Sequence, residues 1–136
     1  MKNIAIRENH LYQKAYRNGK RFVGKLVAVY VLRDYAAKRL QKAHPQGLMV
    51  NRLGLSVSKK IGGAVERNRA KRIIRAAYDS LRGDLKVGHL IVISARGSIA
   101  GKKSGDVERE LRLAFRKLEL TDASASPANP ETKQAT

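Results

Sequence analysis

Residues 64–82 constrain the fold of this chain more than any other segment, because their apolar and basic side chains separate at helical spacing. Ile74 and Leu81 fall on one arc of the predicted helix, whereas Arg67 and Lys71 fall on another. An amphipathic helix is stable when its apolar arc packs against another layer of structure. We therefore expect this helix to lie on a sheet or on other helices, with its basic arc facing outward.

The basic arc carries charge of almost one sign. Residues 59–75 contain seven Lys or Arg residues and a single acid, Glu66. No acid follows Arg67, Lys71 or Arg72 at three or four residues, where it would relieve their mutual repulsion. A solvated face is the ordinary interpretation of a charge run, but such faces usually mix both signs. A polyanionic partner would turn this repulsion into attraction.

The charge of the whole chain points the same way. There are 29 Lys and Arg residues against 11 Asp and Glu residues, a formal net charge of +18. This favours a nucleic acid over an acidic membrane surface, because no segment pairs a Lys-rich face with a broad apolar face, and Trp is absent. There is no cysteine, no apolar stretch of membrane-spanning length and no secretion signal at the N-terminus. We therefore expect a cytoplasmic protein.

The rest of the chain predicts an α+β domain, a small mixed sheet packed against helices in the order α-β-β(-β)-α-β-α. A first helix is expected at 9–18, ended by Gly19 in the left-handed conformation. Besides the basic helix, the predicted elements are strands at 26–32, 52–58 and 89–95 and a last helix from about Ser104.

Two segments are predicted to lie outside these elements. Residues 35–50 form a polar connection that is long enough for a projecting loop, whose function the sequence does not indicate. Residues 121–136 are rich in Ser, Ala, Pro and Thr, and are expected to be a disordered tail after a single domain at 1–120.

Three tyrosines are candidates for stacking on unpaired bases. Tyr12 and Tyr16 lie one helical turn apart, and Tyr30 lies on the first predicted strand. Such spacing is also typical of core aromatic residues. Gly54 and Ser56 share one face of the next strand, and such small side chains would leave that sheet face open to a nucleotide.

The sequence offers little for catalysis by the protein itself. Asp106 and Glu110 share a helix face, but an acid at a helix start is explained by the helix dipole, and a metal nuclease would gather several carboxylates. Residues 97–103 approach a phosphate-binding loop, yet the spacing is one residue short and Lys103 stands where Ser or Thr is needed. The histidines, none at ligand spacing, are His10, His44 and His89.

Two stretches carry a resemblance to a known family. Residues 54–62, GLSVSKKIG, and residues 64–72, AVERNRAKR, closely resemble the signature of the bacterial ribonuclease P protein component. The resemblance extends over roughly residues 7–118, and only the 35–50 connection and the tail depart from it.

The resemblance implies a small basic subunit of a ribonucleoprotein that removes the 5′ leader from precursor tRNA. The partners would be the catalytic RNA and precursor tRNA, and the RNA subunit would perform the hydrolysis with Mg²⁺ ions bound mainly by RNA. No residue of this chain would be catalytic. The family's fold also implies a left-handed β-α-β crossover through the basic helix, against the usual right-handed rule.

The resemblance also implies roles for particular residues. The RNA-binding helix would present Arg67, Asn68, Arg69, Lys71, Arg72 and Arg75. The basic loop before it would add Lys59 and Lys60. The cleft for the single-stranded leader would be lined by Tyr12, Tyr16, Tyr30 and Ser56.

Two other interpretations stay open at the level of sequence. A ribosomal or other structural RNA-binding protein would use the same sheet and basic helix without any connection to catalysis. A helix-turn-helix DNA-binding protein would need a short recognition helix directly after another helix, which the predicted order lacks.

Overall fold

The computed structural model describes residues 4–6 and 9–121. Its helices are α1 (Asn9–Asn18), α2 (Ala37–Ala43), α3 (Ala64–Leu81) and α4 (Ser104–Lys117). Its strands are β1 (Ile4–Ala5), β2 (Lys20–Val23), β3 (Val27–Arg33), β4 (Arg52–Ser56) and β5 (His89–Ala95). The predicted helices at 9–18 and 64–82 and the strand at 89–95 are confirmed to within one residue.

The strands form one mixed sheet in the order β1-β4-β5-β3-β2. β1, β4 and β5 run parallel, whereas β3 is antiparallel to β5 and β2 is antiparallel to β3. Helix α3 connects the adjacent parallel strands β4 and β5, as a β-α-β crossover does. The α+β prediction is therefore confirmed, and the short strands β1 and β2 are additions to it.

The main core lies between the sheet and the pair α3 and α4. Tyr78 and Phe115 are fully buried there, with ring centroids 6.1 Å apart in an edge-to-face arrangement. Ile74, Ile91 and Ile93 are also fully buried. The apolar arc of α3 thus lies against the sheet, as the helical spacing predicts.

Helix α1 packs on the opposite face of the sheet over a smaller cluster. Ala15, Leu90 and Val92 are buried there together with Ile6. Because β5 has helices on both faces, its residues 90–93 are apolar on both, which explains the unbroken apolar run in its sequence.

Gly19 follows α1 as predicted, but for a different reason. Its φ is not positive, so the expected left-handed helix end is wrong. A Cβ at Gly19 would instead lie 2.9 Å from the carbonyl oxygen of Val31, which is too close for a real side chain. Close approach of two backbones therefore requires glycine at this position.

The 35–50 connection is not simply a projecting loop, because it contains α2. Its residues 36–43, AAKRLQKA, are mostly strong helix formers, and Pro45 and Gly47 end the helix rather than exclude it. Asp34 ties the connection to the sheet, since its carboxylate accepts hydrogen bonds from Arg52 of β4 at 2.7 and 2.9 Å.

The predicted tail lies outside the described residues except for its first member. Thr121 forms an isolated antiparallel bridge with Leu85. The proposed boundary between domain and tail at residue 120 is otherwise left as a prediction.

Candidate nucleic-acid interface

One face of α3 presents cationic side chains to solvent. We define the α3 face by the residues that project from it, Arg67, Asn68, Lys71, Arg72 and Arg75. Arg72 and Arg75 are exposed, whereas Arg67 and Lys71 are half-buried against their own helix and its neighbours. Within residues 4–6 and 9–121, no carboxylate forms an ion pair with any of these cations. The repulsion seen in the sequence therefore persists in the folded chain.

Arg69 lies on a different side of the same helix. Its Nη2 donates a hydrogen bond to the carbonyl oxygen of Lys102 at 2.6 Å, so it joins α3 to the loop before α4. Two residues along a helix differ by about 200°, which is why Arg67 and Arg69 cannot share a face. The structure thus separates Arg69 from the α3 face with which the signature groups it.

Lys59 and Lys60 precede α3 in a short 3-10 turn and are exposed to solvent. The Ser58 hydroxyl accepts a hydrogen bond from the backbone N–H of Lys60 at 3.3 Å. Gly62 follows with a φ of 147°, and a Cβ there would lie 2.9 Å from the Cβ of Glu66. The turn therefore places both lysines beside the positive end of the α3 dipole.

The predicted aromatic residues meet on the α1 side of the sheet. Tyr30, Val92 and Gly54 are paired neighbours across β3, β5 and β4. The ring of Tyr16 contacts that of Tyr30 edge to face, with centroids 4.9 Å apart. The Tyr12 ring lies over Gly54, where a Cβ would be only 2.6 Å from the hydroxyl oxygen. Glycine at position 54 therefore makes room for Tyr12.

The rings of Tyr12, Tyr16 and Tyr30 are half-buried, so they are neither enclosed in the core nor fully exposed to solvent. Burial, followed by the proximity of Tyr16, raises the pKa of the Tyr12 hydroxyl, against an opposing effect of the Leu55 backbone amide. The Tyr12 hydroxyl therefore stays protonated at neutral pH, and part of the ring surface remains open.

The next row of the sheet on this side is formed by small side chains. Ala28, Ser94 and Ser56 are paired neighbours across β3, β5 and β4. Ser56 was expected here, whereas Ser94 was not, since only strand pairing shows that it is next to Ser56. We call the surface formed by Tyr12, Tyr16, Tyr30, Ser56 and Ser94 the aromatic cleft.

Arg21 is a further cation at the border of the aromatic cleft. It pairs with Tyr30 across β2 and β3, and its side chain is exposed. The period-two alternation of β2 places it on the same side of the sheet as Tyr30. Sequence reasoning missed it because β2, with four residues, was not predicted as a separate strand.

A groove at the edge of the sheet connects the aromatic cleft to the α3 face. β1 pairs with β4 at Arg52 and Leu53, and the described pairing goes no further along β4. A cavity of about 490 Å³ lies beside Leu53 and Leu55 of β4, and we call it the edge groove. Its walls include Tyr12, Leu55, Lys71 and Arg75.

The described residues that line the edge groove carry a net positive charge. Asp79 also lines it, but its Oδ1 lies 3.6 Å from Nη1 of Arg82, so the carboxylate has a cation of its own. Lys71 and Arg75 are thereby left to attract a negatively charged ligand.

The carboxylates that share the α4 face have structural roles. Glu110 accepts hydrogen bonds from the backbone N–H groups of Lys25, Leu26 and Val27 at 3.1, 2.9 and 2.8 Å. Asp106 accepts one from the backbone N–H of Lys103 at 3.0 Å and caps its own helix. The two groups therefore hold backbone rather than form a catalytic pair.

Across residues 4–6 and 9–121, no group of three or more His, Asp or Glu side chains is placed to hold a metal ion. In the same ranges, no helix is both long and apolar enough to cross a membrane.

A sequence model of the family described as Ribonuclease P matches residues 1–119. The chain belongs to the ribonuclease P protein family. It is 38% identical over 120 residues to the ribonuclease P protein component of Clostridium acetobutylicum, a match that covers 88% of this chain and 92% of that one. It is 36% identical over 95 residues to that of Caldanaerobacter subterraneus, covering 70% and 72%. Processing of the tRNA 5′ leader is the role of this family.

Solved structures of ribonuclease P proteins share the fold. The Staphylococcus aureus protein superimposes with a TM-score of 0.69 at 24% identity, and the match covers 89% of this chain and 100% of that one. The Thermotoga maritima protein gives 0.63 at 22% identity, covering 85% and 97%. Family membership decides against the ribosomal and helix-turn-helix interpretations, and makes this chain part of a ribonuclease.

Proposed function

We propose that the aromatic cleft binds the single-stranded 5′ leader of precursor tRNA, while the α3 face docks on the catalytic RNA of ribonuclease P. The observation that carries this proposal is the edge groove. Tyr12 lines it from the aromatic cleft, and Lys71 and Arg75 line it from the α3 face. A leader in the cleft and an RNA backbone on α3 would therefore meet across one short groove.

The chemistry of the cleft suits a leader of any sequence. Aromatic rings stack on every base, and such stacking is worth on the order of 1–3 kcal/mol per base. The row beside the rings holds Ala28, Ser94 and Ser56, whose small side chains leave space for an extended strand. An edge groove of about 490 Å³ lies within the range of about 300–1,000 Å³ that is typical of small-ligand sites.

The α3 face supplies positive charge to two RNAs that would otherwise repel each other. Arg67, Lys71, Arg72 and Arg75 lack carboxylate partners among the described residues, so each is available for a phosphate. Arg69 would act differently, by holding α3 against the loop that contains Lys102. Lys59 and Lys60 would extend the basic surface beyond the start of the helix.

Hydrolysis is assigned to the RNA subunit and its Mg²⁺ ions, with the protein as a binding subunit acting in the cytoplasm on newly made precursor tRNA. The side chains of this chain would hold and orient the substrate. Neutralising phosphates would also reduce the Mg²⁺ concentration that the two RNAs need to associate.

Reconstitution tests the division of labour. The purified chain should not cleave precursor tRNA, and addition of the RNA subunit at low Mg²⁺ should restore removal of the leader. Cleavage by RNA-free protein that survives further purification would contradict the proposal.

Two variants separate the two surfaces. Arg67→Ala should weaken assembly with the RNA subunit by about 1–3 kcal/mol, as loss of a charged contact usually does. Tyr12→Ala should instead reduce the extra affinity of the assembled enzyme for precursor tRNA with a longer leader.

The matched control for both variants is Lys117→Ala, because Lys117 is an exposed cation at the end of α4. Equal behaviour of Arg67→Ala and Lys117→Ala in the assembly assay would remove the α3 face from the proposal. If Tyr12→Ala and the control both keep the dependence of affinity on leader length, the proposal for the aromatic cleft is contradicted.

A further inference from the structure

A second concentration of positive charge lies on the far side of α1 from the aromatic cleft. A pocket of about 210 Å³ is lined there by Lys14 of α1, by Arg33 and Arg52 of the sheet, and by Tyr35 and Arg39 of the connection. We call it the α1–α2 pocket. Two of its residues belong to the connection for which the sequence indicated no function.

The single described carboxylate of the α1–α2 pocket, that of Asp34, already accepts hydrogen bonds within the protein. Asp34 accepts two hydrogen bonds from Arg52, at 2.7 and 2.9 Å, and one from the backbone N–H of Ala36 at 3.0 Å. Its side chain is 1% exposed and that of Arg52 is 9% exposed, so the pair forms the floor. Lys14, Arg33 and Arg39 lie above it and form no ion pair with a carboxylate in the described part of the chain.

Tyr35 places an aromatic ring among these cations. It is 77% exposed, more than any other large apolar or aromatic side chain that the structure describes. The ammonium of Lys14 lies 5.2 Å from its ring centroid, in a cation–π contact that orients the ring. An exposed ring beside unpaired cations is the combination that single-stranded nucleic acids require, with stacking for the base and charge for the phosphate.

Helix α1 separates this pocket from the aromatic cleft. His10 and Lys14 lie one turn apart on the pocket side, whereas Tyr12 and Tyr16 lie one turn apart on the cleft side. Along β4, Arg52 belongs to the pocket and Ser56 lies at the opposite end of the strand. The two sites can therefore be occupied at the same time by different nucleotides.

We propose that the α1–α2 pocket binds one unpaired ribonucleotide, with its phosphate among Lys14, Arg33 and Arg39 and its base stacked on Tyr35. The inference rests on the proposed function, because it adds a second RNA contact to the same ribonucleoprotein. The nucleotide belongs either to a distal part of the leader or to a loop of the RNA subunit, and the chemistry is the same for both.

The test uses variants of the full chain reconstituted with the RNA subunit. Tyr35→Ala should weaken RNA binding at least about fivefold, the lower end of what loss of base stacking costs. Tyr35→Phe should restore it, because the ring is kept and only the hydroxyl is lost. Thermal melting of both should match that of the unmodified chain, since the Tyr35 side chain is largely exposed.

Arg39→Ala tests the phosphate, and Lys38→Ala is its matched control. Both residues are exposed cations on α2, but Arg39 lines the pocket and Lys38 does not. Arg39→Ala should weaken binding and lower the slope of log affinity against log salt by about 1, whereas Lys38→Ala should change affinity by less than about twofold.

Two arms identify the source of the nucleotide. Binding of the protein to the RNA subunit alone reports a loop of that RNA, and affinity of the assembled enzyme for precursor tRNAs of increasing leader length reports the leader. A loss in either arm supports the pocket. Affinities of Tyr35→Ala and Arg39→Ala that equal that of Lys38→Ala in both arms would overturn it.

Arg67→Ala is measured in parallel to keep this inference apart from the proposed function. If Arg67→Ala weakens assembly while the pocket variants do not, the pocket fails and the proposed function stands. If the unmodified chain fails to restore leader removal, the proposed function itself fails.

Discussion

The two faces of the sheet differ in how completely their aromatic side chains are buried. On the α3 and α4 side, Tyr78 and Phe115 are fully buried in one large cluster. On the α1 side, Tyr12, Tyr16 and Tyr30 keep part of their surface open around a small cluster. The difference indicates that one face supplies most of the stability, which allows the other to keep aromatic surface available for a ligand.

The largest expected effect comes from the closed face. Phe115→Ala should lower the free energy of unfolding by about 3–5 kcal/mol, because it leaves a cavity beside Tyr78. Urea-induced unfolding measures it, with Tyr16→Ala on the open face as the comparison. Tyr16 is half-buried and should cost clearly less. Equal losses for the two variants would contradict the difference between the faces.

Asp34→Asn should cost about 3 kcal/mol, since it removes the negative charge from a buried, hydrogen-bonded ion pair with Arg52. Burial alone would raise the pKa of Asp34, but hydrogen bonds from Arg52 and Ala36 outweigh it and hold the pKa below its ordinary value. The pair therefore stabilises the fold above the unfolded pKa of about 3.9, and this contribution is lost as pH falls through the lower folded pKa.

Urea unfolding of both proteins between about pH 7 and pH 3 checks this sign. The difference in stability between the unmodified chain and Asp34→Asn should be constant near neutrality and shrink in acid. A difference that grows in acid would show that the carboxylate is not stabilised by its partners.

A smaller loss is expected where α4 holds the β2–β3 hairpin. Glu110→Gln should lower the free energy of unfolding by about 2 kcal/mol. The carboxylate accepts hydrogen bonds from three backbone N–H groups through two oxygens, whereas an amide has only one oxygen that can accept. Glu119→Gln is the control, since its contact with Lys20 is exposed and 3.5 Å long. Equal melting temperatures of the two variants would show that Glu110 does not stabilise the hairpin.

The smallest effect on stability should accompany a clear effect on binding. Gly54→Ala adds a Cβ 2.6 Å from the Tyr12 hydroxyl oxygen, so the ring must move. We expect a loss of about 1 kcal/mol in stability and about fivefold weaker binding of long-leader precursor tRNA by the assembled enzyme. Gly83→Ala, where a Cβ meets nothing within 4 Å, is the control. Unchanged binding by Gly54→Ala would show that the ring position does not matter.

Local patterns predicted most of the elements. The apolar arc of α3, the period-two alternation of β4 and the tyrosines one turn apart in α1 all depend on neighbours within a few residues. Helix α2 was not predicted because Pro45 and Gly47, which follow it, indicated a loop and outweighed the run of helix formers before them. Strands β1 and β2 were missed because two and four residues carry too little pattern.

The sequence by itself determined that α3 has one apolar and one cationic side, since both follow from helical spacing and residue type. Only the tertiary structure decided that Tyr12 and Lys71 line one groove, that Arg69 binds the backbone of Lys102, and that Tyr35 lies beside Lys14. These arrangements bring together residues that lie far apart in the chain. They depend on the order of the strands in the sheet, which no local pattern encodes.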